Sequence, residues 1–391
     1  MFEFVKPSAT DYRYAVTNEP KRPQRMGRWR KLLALAGIAC LVLALSGCQT
    51  ISYYKQAISG QYQIFSQRRT IKDLIARPDT PDALKQRFKL VLELRQFAEK
   101  ELGLPVDGHY LKYADLNRKH VVWNVYAAPE LSLEQKTWWY PVVGKLKYRG
   151  YFSEPGATNY AARLQRQCWD VYVAGVDAYS TLGWFKETLL NTFINDSESD
   201  LAETLFHELA HQRVFISGDT DFNEAFATLV GQEGARRWLR SRGGTNAIEK
   251  YVSLLKQEDD FVHLVQDTRA KLKAIYESQQ DDASKRTAKA QAIEALRSDY
   301  QELKGKWGGY SGYDRWFAKP LNNAQLNTIA TYHDLLPAFD RLLTAQNGNL
   351  ENFYKDVEKY EDMTKEHRRE RLLANASGSD RKDVQVNAAR P

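Results

Sequence analysis

The sequence predicts an α+β fold in which a chemically equipped helix lies beside a small sheet, with additional long helices around them. Three observations carry this. Residues 121–127 and 169–176 are rich in β-branched and aromatic side chains and alternate partly with period two, as half-buried strands do. Residues 201–214 and 222–239 repeat apolar side chains at helical period, and Ile216-Ser217-Gly218-Asp219-Thr220-Asp221 between them suits a turn and a helix N-cap. Residues 246–306 are charged and rich in Ala, Leu, Lys and Glu, giving one or two long solvated helices.

Composition bounds the class. With 391 residues, 43% apolar and 27% charged, the chain is ordinary globular protein, neither disordered nor multispanning. A net charge of +7, with basic and acidic residues interspersed, gives no basic stripe, so no nucleic-acid partner is expected. Basic clusters at 21–31 and 365–371 are expected to orient a signal peptide and to solvate a tail. Cys40, Cys48 and Cys168 offer no disulfide framework, and Cys168, in an apolar stretch, is expected as a buried small hydrophobe.

The N-terminal part looks like an address. Residues 26–31 are basic and residues 32–45 almost wholly apolar, a run of about fourteen that is short for a membrane span but right for a signal peptide over 26–47. Leu45-Ser46-Gly47-Cys48 resembles the bacterial lipobox, which makes Cys48 the expected lipidation site and mature N-terminus. An uncleaved anchor helix and a cleaved signal without lipid are the alternatives. Acyl chains hold a protein on a bilayer because each buried methylene contributes about 0.8 kcal/mol. Gln49 rather than Asp after the cysteine matches the Gram-negative sorting rule for the outer membrane. The expected location is therefore the bacterial cell envelope, at the outer membrane facing the periplasm. Residues 1–25 read as an extension or a misassigned start, with Met26 as the other candidate start.

Beyond the signal, residues 48–374 form one expected domain. Phe88, Leu90, Val91, Leu92, Leu94 and Phe97 give a helix over 84–102 that ends before Gly103-Leu104-Pro105. Residues 138–152 are aromatic and punctuated by glycine, residues 332–343 give a short helix, and 375–391 a disordered tail.

His207-Glu208-Leu209-Ala210-His211 stands in the helix predicted over 201–214. Positions four apart share a helix face, so both imidazoles can reach one ion. Zinc suits neutral nitrogen donors and has no redox chemistry to damage a substrate. Glu208 can then face an open coordination position and act as general base on a water. Glu224, at the start of the next helix, is the favoured third ligand; Asp219 and Asp221 in the intervening turn are its rivals, with helix capping as their ordinary role.

These residues, with Asp219-Thr220-Asp221-Phe222-Asn223-Glu224-Ala225-Phe226-Ala227 following and Ala178-Tyr179-Ser180-Thr181-Leu182-Gly183-Trp184-Phe185 upstream, resemble the bacterial putative aminopeptidase lipoprotein family. The likeness extends through Tyr148-Arg149-Gly150-Tyr151-Phe152 and Pro320-Leu321-Asn322-Asn323-Ala324, and so covers most of residues 50–345. It implies a zincin-like metallopeptidase domain with His207, His211 and Glu224 as ligands and Glu208 as general base. The resemblance has one departure: members of that family often carry a cysteine pair flanking the Pro141 region, where this chain has Trp139 and Lys145. By analogy with zinc peptidases, 171–181 would be an edge strand beside the metal helix to which a peptide substrate adds its backbone. Tyr179 is a candidate there, against ordinary core packing. Tyr332 and His333 are candidates for the oxyanion.

The resulting expectation is a zinc-dependent peptidase, of aminopeptidase type by the resemblance. It would act on peptide or protein and meet the membrane through an N-terminal lipid. The alternative is a non-catalytic envelope lipoprotein with a structural or vestigial zinc site, its 246–306 region binding a partner.

Overall fold

In a computed structural model, residues 47–140, 144–178 and 186–377 are described, apart from the side chains of 47–49, 330–332 and 375–377. The chain divides into two units, Met1–Lys55 and Gln56–Pro391, and every element after the first helix belongs to the second. Helix α1 (Gly47–Gln67) carries the boundary; β1 (Arg69–Thr70), α2 (Ile71–Ala76) and α3 (Asp82–Lys100) follow. Helix α3 buries Phe88, Val91, Leu94 and Ala98 at helical spacing, and the chain turns away at Gly103, whose φ of +64° favours glycine.

Next come β2 (Lys112–Ala114), β3 (Val122–Pro129), β4 (Trp138–Tyr140), β5 (Gly144–Leu146), β6 (Arg149–Tyr151), α4 (Glu154–Arg166), β7 (Trp169–Val176) and β8 (Leu189–Leu190). Strands β3 and β7 pair antiparallel from Val122 opposite Val176 to Pro129 opposite Trp169, with β6 on the other side of β3. A second small sheet has the order β1, β2, β8, and β4 and β5 form a hairpin of their own. In that hairpin Trp139 stands opposite Lys145 as a direct cross-strand partner. Here strand pairing holds the hairpin, while Gly144 lies against Ser217 and Gly218.

Helices α5 (Glu198–Arg213), α6 (Thr220–Ser241), α7 (Thr245–Glu277), α8 (Asp282–Lys306), α9 (Asp314–Phe317), α10 (Asn323–His333), α11 (Leu336–Ala345), α12 (Leu350–Glu358) and α13 (Lys365–Ser377) complete the chain. The helix expected over 332–343 is in fact two. Pro337 sits in the first turn of α11 and supplies no N–H to continue α10, so the chain breaks between His333 and Leu336.

Two apolar cores result. The larger gathers α3, α5, α6, α11 and α12, with Phe226 stacked on Phe353 at 5.9 Å and meeting Phe339 edge-on at 5.9 Å. The smaller belongs to α7–α10, where Tyr300 stacks on Phe317 at 3.9 Å and Phe261 on Tyr313 at 4.0 Å. Residues 246–306 are thus long helices as expected, but with a buried apolar face of their own rather than solvent all round.

Helix α10 packs on β3 and β7 and also on α6 and α7, which makes it the joint between sheet and helices. Asn323 at its start is fully buried. Its amide donates to the carbonyls of Pro129, Glu130 and Ser132 at 3.0, 2.9 and 3.1 Å, its side-chain oxygen accepts from Tyr276, and its backbone N–H reaches Asp170. Each buried polar group left without a partner costs about 1–3 kcal/mol. Asn323→Ala is therefore expected to lower unfolding free energy by about 3 kcal/mol in a urea titration.

Three further expectations are corrected. Among the described residues β7 is an edge strand whose pairing ends at Val176, but α4 and α10 pack against it, its carbonyls at Val171 and Val173 accept from Asn322 and Lys319, and the expected continuation over 179–181 lies outside the described residues. A peptide cannot add its backbone there without displacing those side chains. Cys168 is exposed, because it occupies the left-handed position (φ +62°) that ends α4. The basic run 365–371 is not simply a solvated tail: Arg368 is 4% exposed and its Nε lies 3.3 Å from Asp219, with Lys365 3.4 Å from the same carboxylate. The tail proposed from 375 falls mostly outside the described residues.

Candidate metal centre

Ser197 caps α5 by accepting the Asp200 N–H, and eight residues of the helix are buried, among them Glu208 and His211. One turn apart, His207 and His211 bring their rings to 4.9 Å between centroids. The chain then folds back through residues 214–219. Asn223, 2% exposed, clamps that turn: its amide donates to the Ile216 carbonyl and its oxygen accepts the Ile216 N–H, both at 2.8 Å. The next residue, Glu224, thereby faces α5. Its Oε2 lies 3.3 Å from His207 Nε2 and 3.7 Å from His211 Nε2.

The three candidate ligand atoms all fall within 4.8 Å of one another, as donors to a single ion would. Burial works to raise the Glu224 carboxyl, but the neighbouring His211 and His207 outweigh it and hold it well below the usual carboxylate range. Two imidazole nitrogens and one carboxylate oxygen fit zinc, and the side chains of His207 and Glu224 remain 18% and 16% exposed, so the cluster opens to solvent.

Glu208 is 7% exposed, and its Oε2 has no hydrogen-bond partner among the described residues. Burial, against the pull of His207 and with the push of Glu187 and Glu224, raises its carboxyl to about 8. A divalent cation on the three neighbours would draw it back down. Tyr110 feels the Glu208 charge, and its N–H donates to the Glu187 carbonyl at 2.8 Å. Its phenol is pushed up by burial and by the charges of Glu208 and Glu187.

Close approach of α5 and α6 depends on Gly231. A Cβ there would stand 2.9 Å from the Glu203 carbonyl oxygen and 3.2 Å from His207 Cβ, and the first of these is backbone that cannot swing aside. Gly231→Ala should cost about 1–3 kcal/mol in thermal or denaturant unfolding, as overpacking does.

The rival ligands stand elsewhere. Asp219 holds the N-cap position of α6, but its carboxylate pairs with Lys365 and Arg368 instead of capping. Asp221 accepts from Lys147 at 2.6 and 2.7 Å. His333 is 3.8 Å from Glu258, and burial lowers its imidazole to about 4. Tyr332 belongs to α10, though its side chain is outside the described set, and Tyr179 lies outside the described residues altogether.

Four residues in this neighbourhood escaped the sequence reading: Tyr110, Glu187, Glu203 and Glu258. Only Glu203 had a local signal, since it precedes His207 by four positions and so shares its face.

No curated protein and no solved structure matches the chain. The sequence model of one family, described as "Putative aminopeptidase", matches residues 52–372, and this span contains every described residue of the centre. A match over most of the chain shows kinship, and such kinship points to peptidase chemistry: the chain belongs to that aminopeptidase family.

Proposed function

We propose that this chain is a zinc-dependent peptidase with a zincin-like catalytic domain, and that it removes residues from the N-terminal end of peptides. The observation that carries the reading is the Glu208 carboxylate, buried beside a His207, His211 and Glu224 cluster with one oxygen unpartnered. A purely structural metal site has no use for such a group.

His207, His211 and Glu224 would hold the ion. Zinc there supplies Lewis acidity and lowers the pKa of a water from about 16 to about 7. Glu208 accepts the water's proton on the free oxygen and passes it to the leaving amine, the two proton transfers that peptide hydrolysis needs.

In the same proposal Cys48 carries lipid and ties the domain to a bacterial envelope membrane, at the outer membrane on its periplasmic side. Support comes from the lipobox-like Leu45-Ser46-Gly47-Cys48. Among the described residues no helix is long and apolar enough to cross a membrane. Metal analysis together with a screen of aminoacyl reporter amides tests the catalytic reading. About one zinc per chain with zinc-dependent cleavage is expected, and a metal-replete protein that cleaves no peptide would remove it.

A further inference from the structure

Helix α1 is held to the second unit by one face. Over residues 56–67, Gln56 accepts the Phe152 N–H at 2.9 Å and donates to the Gly150 carbonyl at 3.4 Å, and Ile64 is 2% exposed. Between them Gly60 lies so close to Phe152 that a Cβ there would collide with the ring. These three residues stand four apart and so mark one side of the helix. Ile58 and Tyr62 fall two positions away from them, a turn of about 200°, and point to the opposite side. Each is 70% exposed. In the first unit's share of the helix Ile51 and Tyr54 are 45% and 38% exposed, so α1 carries four of the seven large hydrophobic side chains exposed among the described residues. Apolar side chains scattered singly need no explanation, but a concentration on one helix marks a surface that something covers.

Chain position and charge indicate what covers it. Ile58 follows Cys48 by ten residues, and the apolar run 32–45 ends just before that cysteine. Whether Cys48 carries lipid or the run stays as an anchor helix, residue 48 is tied to a bilayer surface, and ten residues reach at most about 35 Å even when fully extended. Residues 49–72 contain Lys55, Arg68, Arg69 and Lys72 and no Asp or Glu, and Arg69 and Lys72 are exposed. A positive segment beside isoleucine and tyrosine side chains complements anionic headgroups over an acyl layer, the interfacial position where tyrosine rings concentrate. A second copy of this chain would instead set the same positive segment against itself.

We propose that the Ile58 and Tyr62 face of α1 is seated in the interface of the anchoring membrane, on an anionic bilayer. The inference rests on the membrane-anchored reading above and adds a protein surface to it. An interfacial helix sinks its apolar side by about 5–10 Å, which brings Ile58 and Tyr62 to the boundary of headgroups and acyl chains and leaves Gln56, Gly60 and Ile64 on the protein side. The metal centre belongs to the same unit as this face, so the unit meets the bilayer by one side and does not swing freely on a tether.

The test uses the full chain reconstituted into vesicles of phosphatidylcholine with about one third phosphatidylglycerol. Ile58→Cys, Tyr62→Cys and, as a control at an exposed position of α7, Ala274→Cys each carry an environment-sensitive fluorophore in a Cys40→Ser, Cys168→Ser background, which without an added cysteine supplies the blank. Labels at 58 and 62 should shift to the blue, and lipid spin-labelled high on its acyl chain should quench them at least about twofold more than the label at 274. Adding Arg69→Gln and Lys72→Gln, or replacing the phosphatidylglycerol by phosphatidylcholine, should cut that quenching by about twofold or more. If one labelled variant fails to fold, the other decides. Labels at 58 and 62 quenched no more than that at 274 overturn the membrane face while leaving the anchor. Quenching that ignores lipid charge overturns the anionic bilayer as its partner. Disulfide-linked pairs of copies through 58 or 62, without lipid quenching, give the face to a second copy and overturn it too. A chain that a high-salt wash strips from the vesicles overturns the anchored reading and this one together.

Discussion

Glu208→Gln is expected to keep about one zinc per chain and to lose about 10²- to 10⁴-fold in turnover, the usual contribution of a positioned general base. The substitution preserves size in a position only 7% exposed, so packing has little reason to change. What disappears is the carboxylate whose Oε2 has no partner among the described residues. A glutamine amide cannot take a proton from water, and its NH₂ group would turn donors toward a place meant for an acceptor. Retained metal with lost hydrolysis is the informative pairing, read by metal analysis and reporter cleavage on one preparation. Wild-type turnover in this variant would mean that the motif binds metal for some other purpose.

The second large effect concerns the metal itself. Glu224→Ala and His211→Ala should each release zinc and activity together, with affinity falling by more than the roughly 10- to 100-fold that loss of an outer-shell partner costs. Both side chains contribute atoms to the one cluster of candidate ligands among the described residues. Asp219→Asn and Asp221→Asn should keep the metal, because Lys365 and Arg368 engage the first carboxylate and Lys147 the second. Zinc lost from either aspartate variant and retained by Glu224→Ala would reverse the assignment. Asp219→Asn should instead weaken the attachment of α13, visible as a lower unfolding midpoint without change in metal content.

Elements with a regular apolar pattern were legible in the sequence, although β3 is buried on both faces rather than one. Strand β7 agrees with its predicted bounds, and β3 is shifted by one residue at its start and two at its end; the helix at 201–214 starts three residues earlier and ends one earlier, and that at 222–239 gains two residues at each end, where caps and turns decide. The grouping of His207, His211 and Glu224 was visible because a four-residue spacing and a short turn constrain geometry locally. Glu258, Glu187 and Tyr110 were not, since long loops and other helices bring them in and nothing at fixed spacing marks them. Arg368 was misjudged because a basic run on paper hides the single member that turns inward to Asp219. The edge of β7 was misjudged for a similar reason: Lys319 and Asn322, which occupy it, lie far along the chain.

Gly231 and the Asn223 clamp bear on how the proposed zinc would be received. The spacing of α5 and α6 is fixed by backbone contact at Gly231, and the entry into α6 by two hydrogen bonds between Asn223 and Ile216; neither involves a ligand atom. In small zinc modules the ion templates the fold, and a chelator unfolds them. Here the donors are assembled by contacts that outlast the ion. Stripping with a chelator should leave the helical signal intact, and reloading should proceed without a refolding phase. Under the proposed function, activity would then follow from loading alone, with no folding step between the empty chain and the working one.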